Sequence, residues 1–155
     1  MRICYILLSP TFGMHQYTAD LANRMTLAGH DVHLVTTARV PRDRYSPMVS
    51  IHTPVNTTNT GFSAESFQLS DLRALQLTIC KLRPDIAHFT GPHLWNVALV
   101  RALTAAGIPV VHTLHDLDPH QGTRYGVLLR LWNQLIVGSA QHILVHGQTY
   151  RERLL

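Results

Sequence analysis

Short apolar runs alternate with longer stretches of helical spacing along this chain. The runs fall at residues 3–8, 32–35, 86–89, 110–114 and 143–145. Each is too short for a helix and nearly continuously apolar, which predicts strands buried on both faces. Between them, Tyr17, Leu21, Met25 and Ala28 fall on one helical face, as do Leu72, Leu75, Ile79 and Leu82. Tyr125, Leu128, Leu129, Trp132, Leu135 and Ile136 form a broader stripe. Gly29 ends the first helix, Ser70 and Asp71 open the second, and Pro84 closes it. Gly107 and Pro109 part a third helix from the strand that follows. This alternation predicts a doubly wound, Rossmann-like α/β domain, a parallel sheet with helices on both faces.

Residues 39–68 break the pattern. Pro41, Pro47, Pro54, Gly61 and a Thr/Asn-rich stretch at 53–60 surround one predicted strand at 49–52, so a mobile loop is expected there.

The length of 155 residues, 46% of them apolar, suits a single domain able to bury roughly two-thirds of its unfolded surface without a disulfide or a structural metal. Cys4 and Cys80 sit in apolar patterns and read as small buried hydrophobes. No apolar run reaches the roughly 18 residues of a membrane span, and the opening run is too short for a signal peptide, so the cytosol is the expected location. Twelve Arg and one Lys against 9 acidic residues give a net charge of +4. That balance favours an anionic partner without naming one. No basic stripe interleaved with exposed aromatics is visible, and Trp95 and Trp132 lie in helical patterns as core residues, so nucleic-acid binding is not expected. Arg39, Arg42 and Arg44 form a basic loop, read either as a solvated surface or as an attractor of an anionic acceptor or lipid headgroups.

In a doubly wound sheet, ligands bind beyond the carboxyl ends of the strands, where strand order reverses. That selects residues 9–13, 36–44, 90–93 and 115–121. The loop SPTFGMHQY runs into a helix whose free N–H groups suit a phosphate or diphosphate, with Gly13 allowing close approach. Gly13 also reads simply as a turn glycine opening a helix. The loop lacks both GxGxxG and GxxxxGK[ST], so neither a nicotinamide cofactor nor a Walker-type nucleotide site is supported. No acidic cluster follows the first strand, which argues against a phosphorelay receiver. HTLHDLDPH packs three His and two Asp into nine residues, but His112 lies within a strand and the spacing does not converge ligands, so no metal is expected. His115 and Asp116, at the strand's end, are placed to meet a ligand in the crevice, where an imidazole can donate a hydrogen bond or exchange a proton. Asp116 reads equally as a turn cap before Pro119.

Three ordered stretches, FGMHQYTADLANRMTLAGHDVHLVT, KLRPDIAHFTG, and GIPVVHTLHDLDP followed by SAQHILVHGQTYRERLL, together resemble the N-terminal half of family 4 glycosyltransferases. These enzymes have a GT-B fold and use nucleotide sugars. The resemblance runs the length of the chain. It implies an acceptor-side domain at residues 1–155, paired in the intact enzyme with a C-terminal donor-binding domain that is not in this sequence. The chain ends within a helical pattern, as expected of a fragment inactive by itself.

The resemblance also implies roles. Gly13, with Phe12 beside it, would lie against the donor diphosphate. Where the family often has two adjacent glycines, this chain has Phe12 and Gly13, followed by Met14 and His15. His115 would hydrogen-bond the hydroxyl groups of the transferred sugar or lie next to the reacting centre, supported by Asp116. Acceptor contacts are expected from His15, Tyr17, Thr90 and Gly91. The reaction implied is glycosyl transfer from a nucleotide-sugar donor to a saccharide or lipid-linked alcohol with retention of configuration, with no cofactor or metal. A peripheral contact at the cytosolic membrane face is compatible with such an acceptor. A sugar-nucleotide epimerase of the same architecture, or a non-catalytic carbohydrate or headgroup binding module, would use similar loops.

Overall fold

The computed structural model describes residues 1–9, 11–58, 67–115 and 126–154. Six parallel strands, β1 (Arg2–Leu7), β2 (Asp31–Thr37), β3 (Ser50–Val55), β4 (Ile86–Phe89), β5 (Val110–Leu114) and β6 (His142–Val145), form one sheet in the order β3-β2-β1-β4-β5-β6. Helices α1 (Phe12–Leu27), α2 (Leu69–Leu82), α3 (Asn96–Ala105), α4 (Gly126–Val137) and α5 (Gln148–Leu154) follow or connect them, with a short 3-10 turn at Arg42–Arg44. The expected doubly wound architecture is therefore present. The chain leaves β1 first toward β2 and β3, then returns to build β4, β5 and β6 on the other side. Strand order reverses between β1 and β4, and a crevice for ligands opens there.

Each sheet face has its own core. One packs Cys4, Ile6, Phe89 and Leu114 against Leu75 and Ile79 of α2, Leu99, Val100 and Leu103 of α3, and Trp132 and Ile136 of α4. The other packs Ile3, Tyr5, Leu7 and Leu34 against Ala19 and Ala22 of α1 and against Val40, Tyr45 and Val49. Trp95 and Trp132 are both core residues, as expected, and Cys4 and Cys80 are free thiols.

Two expectations need correction. The buried face of α1 consists of His15, Thr18, Ala19, Ala22 and Thr26, not of Tyr17, Leu21, Met25 and Ala28. Small side chains let the helix lie close to the sheet, and Thr18 and Thr26 satisfy their hydroxyls on the carbonyls of Met14 and Asn23. Residues 39–58 are also not simply loop. Val40, Tyr45 and Val49 are buried in the second core, and Asn23 of α1 donates to the Arg44 carbonyl and accepts from the Ser46 N–H. The strand beyond them runs to Val55, past Pro54, which β3 tolerates as an edge strand.

Candidate functional site

The sheet's topology brings three strand ends to the crevice. Leu8 and Ser9 follow β1, and the Ser9 hydroxyl lies 2.6 Å from that of Thr11, the residue that opens α1. The first turn of α1, Phe12, Gly13 and Met14, carries backbone N–H groups with no carbonyl within the helix to receive them. Gly13 is exposed, and a Cβ there would meet nothing within 4 Å. Packing therefore does not require glycine at this position, although glycine weakens a helix. Phe12 is exposed, and the Arg44 guanidinium lies 3.8 Å from its ring centre. The Arg44 side chain also donates to Gln16. An aromatic and basic edge thus borders the first turn of α1.

His115, which is half-buried, follows directly on β5. Its Nε2 lies 2.8 Å from the backbone carbonyl oxygen of Thr90, just past β4. A carbonyl only accepts, so Nε2 carries the proton and donates, and Nδ1 remains to meet a ligand. Tyr17 packs edge-on against His115, with ring centres 5.0 Å apart and planes at 87°. The Tyr17 hydroxyl lies 3.4 Å from that of Thr113, which is itself 2.8 Å from His88 Nε2. Burial pushes the His88 imidazole down to about 4, so it is neutral near pH 7.

A third ring belongs here that the sequence reading missed. β5 and β6 pair with Leu114 opposite Val145, so the next residues, His115 and His146, emerge side by side. His146 sits 5.1 Å from both the Tyr17 and the His115 ring centres. Its signal was the strand register, which needs a paired sheet and is invisible in one segment alone.

The other nominated residues lie elsewhere. His15 is fully buried with Nδ1 2.8 Å from the Tyr45 hydroxyl, and burial, with Arg44 nearby, lowers its pKa to about 4. The helix begins at Phe12, and that start turns position 15 toward the sheet while Tyr17 stays at the crevice. Thr90 is fully buried, its hydroxyl 2.7 Å from that of Thr18, tying α1 to β4. It contributes its carbonyl to His115 rather than a side chain to a ligand. Gly91 is also buried, and a Cβ there would come within 2.6 Å of Leu7 Cδ1, so glycine at this position serves packing. Asp116 lies outside the described residues. His112 is buried beside Asn96, Phe89 and Trp132, and burial lowers its pKa to about 3. Among the described residues no group of three or more His, Cys, Asp or Glu side chains is placed to hold a metal, and no helix is long and apolar enough to cross a membrane.

Residues 12–155 match the sequence family described as Glycosyltransferase Family 4. The chain belongs to that family. No curated protein shows a significant sequence match to it. Among solved structures, the family 4 chain is similar to the UDP-GlcNAc 2-epimerase of Methanocaldococcus jannaschii, with a TM-score of 0.71 at 15% identity over 99% of this chain and 42% of that one. It is also similar to Anabaena HepE, solved with UDP and glucose, with a TM-score of 0.64 at 18% identity over 99% of this chain and 40% of that one. MurG of Acinetobacter baumannii gives a TM-score of 0.62 at 16% identity over 98% of this chain and 48% of that one. The family 4 chain thus spans less than half the length of each of these structures, and at such identities the likeness is one of fold: a Rossmann-like half of a GT-B architecture.

Proposed function

We propose that this chain is the N-terminal, acceptor-side domain of a two-domain glycosyltransferase that moves a sugar from a nucleotide-sugar donor to an alcohol acceptor with retention of configuration. The observation that carries the reading is the juxtaposition of two groups at the switch point. His115, held through Nε2 on the Thr90 carbonyl, keeps Nδ1 for a ligand, and the first turn of α1 offers free N–H groups beside the sterically unneeded glycine Gly13. His115 Nδ1 accepts a hydrogen bond from a hydroxyl of the transferred sugar, and Tyr17 and His146 hold its ring. The first turn of α1 faces the diphosphate as negative charge builds on it. Retention fits a site in which the departing diphosphate itself stabilises the oxocarbenium-like sugar and takes the acceptor proton, so no protein nucleophile is needed on this side. Phe12 and Arg44 edge the route by which a lipid-linked or anionic acceptor would enter. The structural similarity to HepE, solved with UDP and glucose, supports a sugar-nucleotide crevice but does not name the substrate.

The test is donor turnover by the full-length gene product with a panel of nucleotide sugars, compared with its His115→Ala and His115→Gln variants. Both variants are expected to fold and to lose about 10²-fold in kcat, the usual cost of one well-placed polar contact to the reacting sugar. Since several similar structures are UDP-GlcNAc 2-epimerases, the assay includes a lane without acceptor. Epimerisation there would replace the transferase reading. A full-length protein that binds sugars and consumes no donor would leave a binding module.

A further inference from the structure

At the end of the sheet away from the crevice, four side chains form a cluster that the chemistry above does not use. Asp31 opens β2, and one of its carboxylate oxygens accepts from Arg2 Nε of β1 at 2.6 Å. His33 Nε2 lies 3.2 Å from the other oxygen of that carboxylate. The second ring nitrogen of His33, Nδ1, lies 3.0 Å from Nε2 of His52 on β3. The two imidazoles stack, with ring centres 5.3 Å apart and planes at 27°.

The acceptors fix where the protons sit. A bare nitrogen lone pair facing a carboxylate oxygen would be repelled, so His33 carries its proton on Nε2. Its Nδ1 is then the acceptor, and His52 Nε2 donates to it. The Arg2 hydrogen bond holds the Asp31 carboxyl below the usual carboxylate range, so it stays ionised. A first added proton goes to the outer nitrogen of His52, Nδ1, and makes the link a charge-assisted one. A second can go only to His33 Nδ1, the accepting atom, and two N–H groups of two cations then face each other. Little nearby offsets that charge. Arg2 already pairs with Asp31, and Asp85, just before β4, accepts from the Arg2 backbone N–H. Helix α2, packed over β2 and β3, ends here, with Arg2 Nη1 donating to the Leu82 carbonyl. Its one carboxylate, Asp71, lies in its first turn, Arg73 and Lys81 are exposed cations, and Cys80 adds a half-buried thiol.

We propose that the His33–His52 pair is a proton-counting clasp on the edge of the sheet, which ties β3 to β2 with no more than one added proton and releases it when both rings are imidazolium. Strand β3 is the one such a loss would free. It pairs with β2 alone, its register shifts between Val35 and Thr37, and its Pro54 has no N–H for the ladder. Burial, with His33 beside it, keeps the His52 imidazole below its ordinary value, so the opened strand binds more protons than the closed one. The clasp's contribution is therefore fully present above about pH 6.5 and is lost as pH falls below it. The opening extends toward the crevice, because Thr57, just past β3, donates to the carbonyl of Leu8, next to Ser9.

Amide hydrogen exchange on the chain, followed by NMR between about pH 7.5 and about pH 5, on either side of the free imidazole value, tests it. Protection factors, which remove the pH dependence of exchange itself, are expected to fall about tenfold more in β3 than in β1 and β4, the order of one hydrogen bond plus two like charges close together. Ring nitrogen signals of the same sample are expected to show that excess loss rising in step with protonation of His33 Nδ1. His52→Gln, whose amide N–H still reaches His33 but takes up no proton, is expected to remove the excess. His33→Gln makes the same test from β2, and thermal melting shows which variant stays folded. An equal fall in every strand, as the buried His15, His88 and His112 would cause, overturns the clasp. So does a β3 that keeps its protection, an excess that precedes His33 protonation, or one that persists in a folded variant. None of these outcomes bears on the transferase reading, which has its own test in donor turnover by the full-length protein.

Discussion

His15, His88 and His112 are held neutral by burial, with pKa values of about 4, 4 and 3 against 6.5 for a free imidazole. In the unfolded chain they take up protons below pH 6.5, and in the folded chain they do not until pH 4 or lower. Between those limits the unfolded state binds more protons, so their contribution is fully present above pH 6.5 and is lost progressively as pH falls toward 4. Urea unfolding is expected to give a midpoint that drops across that window. His15→Asn, which can still reach Tyr45 but does not titrate, should show a shallower fall. Two glycines give a contrasting pair. Gly13→Ala adds a methyl into open space on a helix and is expected to raise stability by about 0.5 kcal/mol. If the Gly13 backbone must approach a diphosphate closely, the same change lowers full-length turnover by about tenfold or more. Gly91→Ala drives a methyl onto Leu7, which is fully buried and has nowhere to swing, so a loss of about 1–3 kcal/mol is expected in the same denaturant measurement.

Helix α2 ends at Arg83, which has φ 48° and ψ 56°, a left-handed conformation that glycine adopts without penalty and a side chain does not. Pro84 follows and blocks further helix. Arg83→Gly is expected to stabilise the fold by up to about 1 kcal/mol, read as an upward shift in melting temperature. This stop was legible in the sequence through Pro84. The strands were legible as well, because a parallel sheet buried on both faces writes itself as unbroken runs such as residues 3–8. Helix α1 was misread because apolar spacing marks the inward face only when large side chains do the packing. Here Ala19, Ala22 and Thr18 lie against the sheet, and the larger Tyr17, Leu21 and Met25 flank that contact. The candidate site was half legible for a related reason. Strand ends announce themselves, so His115 and Gly13 could be placed at the crevice from sequence. Whether Thr90 offers its side chain or its carbonyl, and whether His146 stands beside His115, depends on register and helix phase, which only the assembled sheet sets.

At the scale of the molecule, the crevice is bordered from this chain by the His115 imidazole, the open turn of α1 and the Tyr17 and His146 rings. These groups can orient a sugar and face a diphosphate, but the described residues present no cluster of acidic or basic side chains at the crevice that would grip a nucleotide. The structures it is similar to are more than twice as long as the stretch they share with it. In the two-domain enzyme proposed above, the donor site would lie across a cleft whose closure also excludes water from a reactive sugar cation. The consequence is a separation of binding from turnover. The 155-residue chain is expected to bind sugars weakly and release no nucleotide diphosphate from any donor, whereas the full-length gene product with the same donors releases it in step with acceptor glycosylation. Mixing the chain with a separately produced remainder of the gene product should restore part of that release if the two halves meet through the crevice. Nucleotide release by the chain alone, followed by a coupled diphosphate assay, would show instead that the donor site is complete on this side of the cleft.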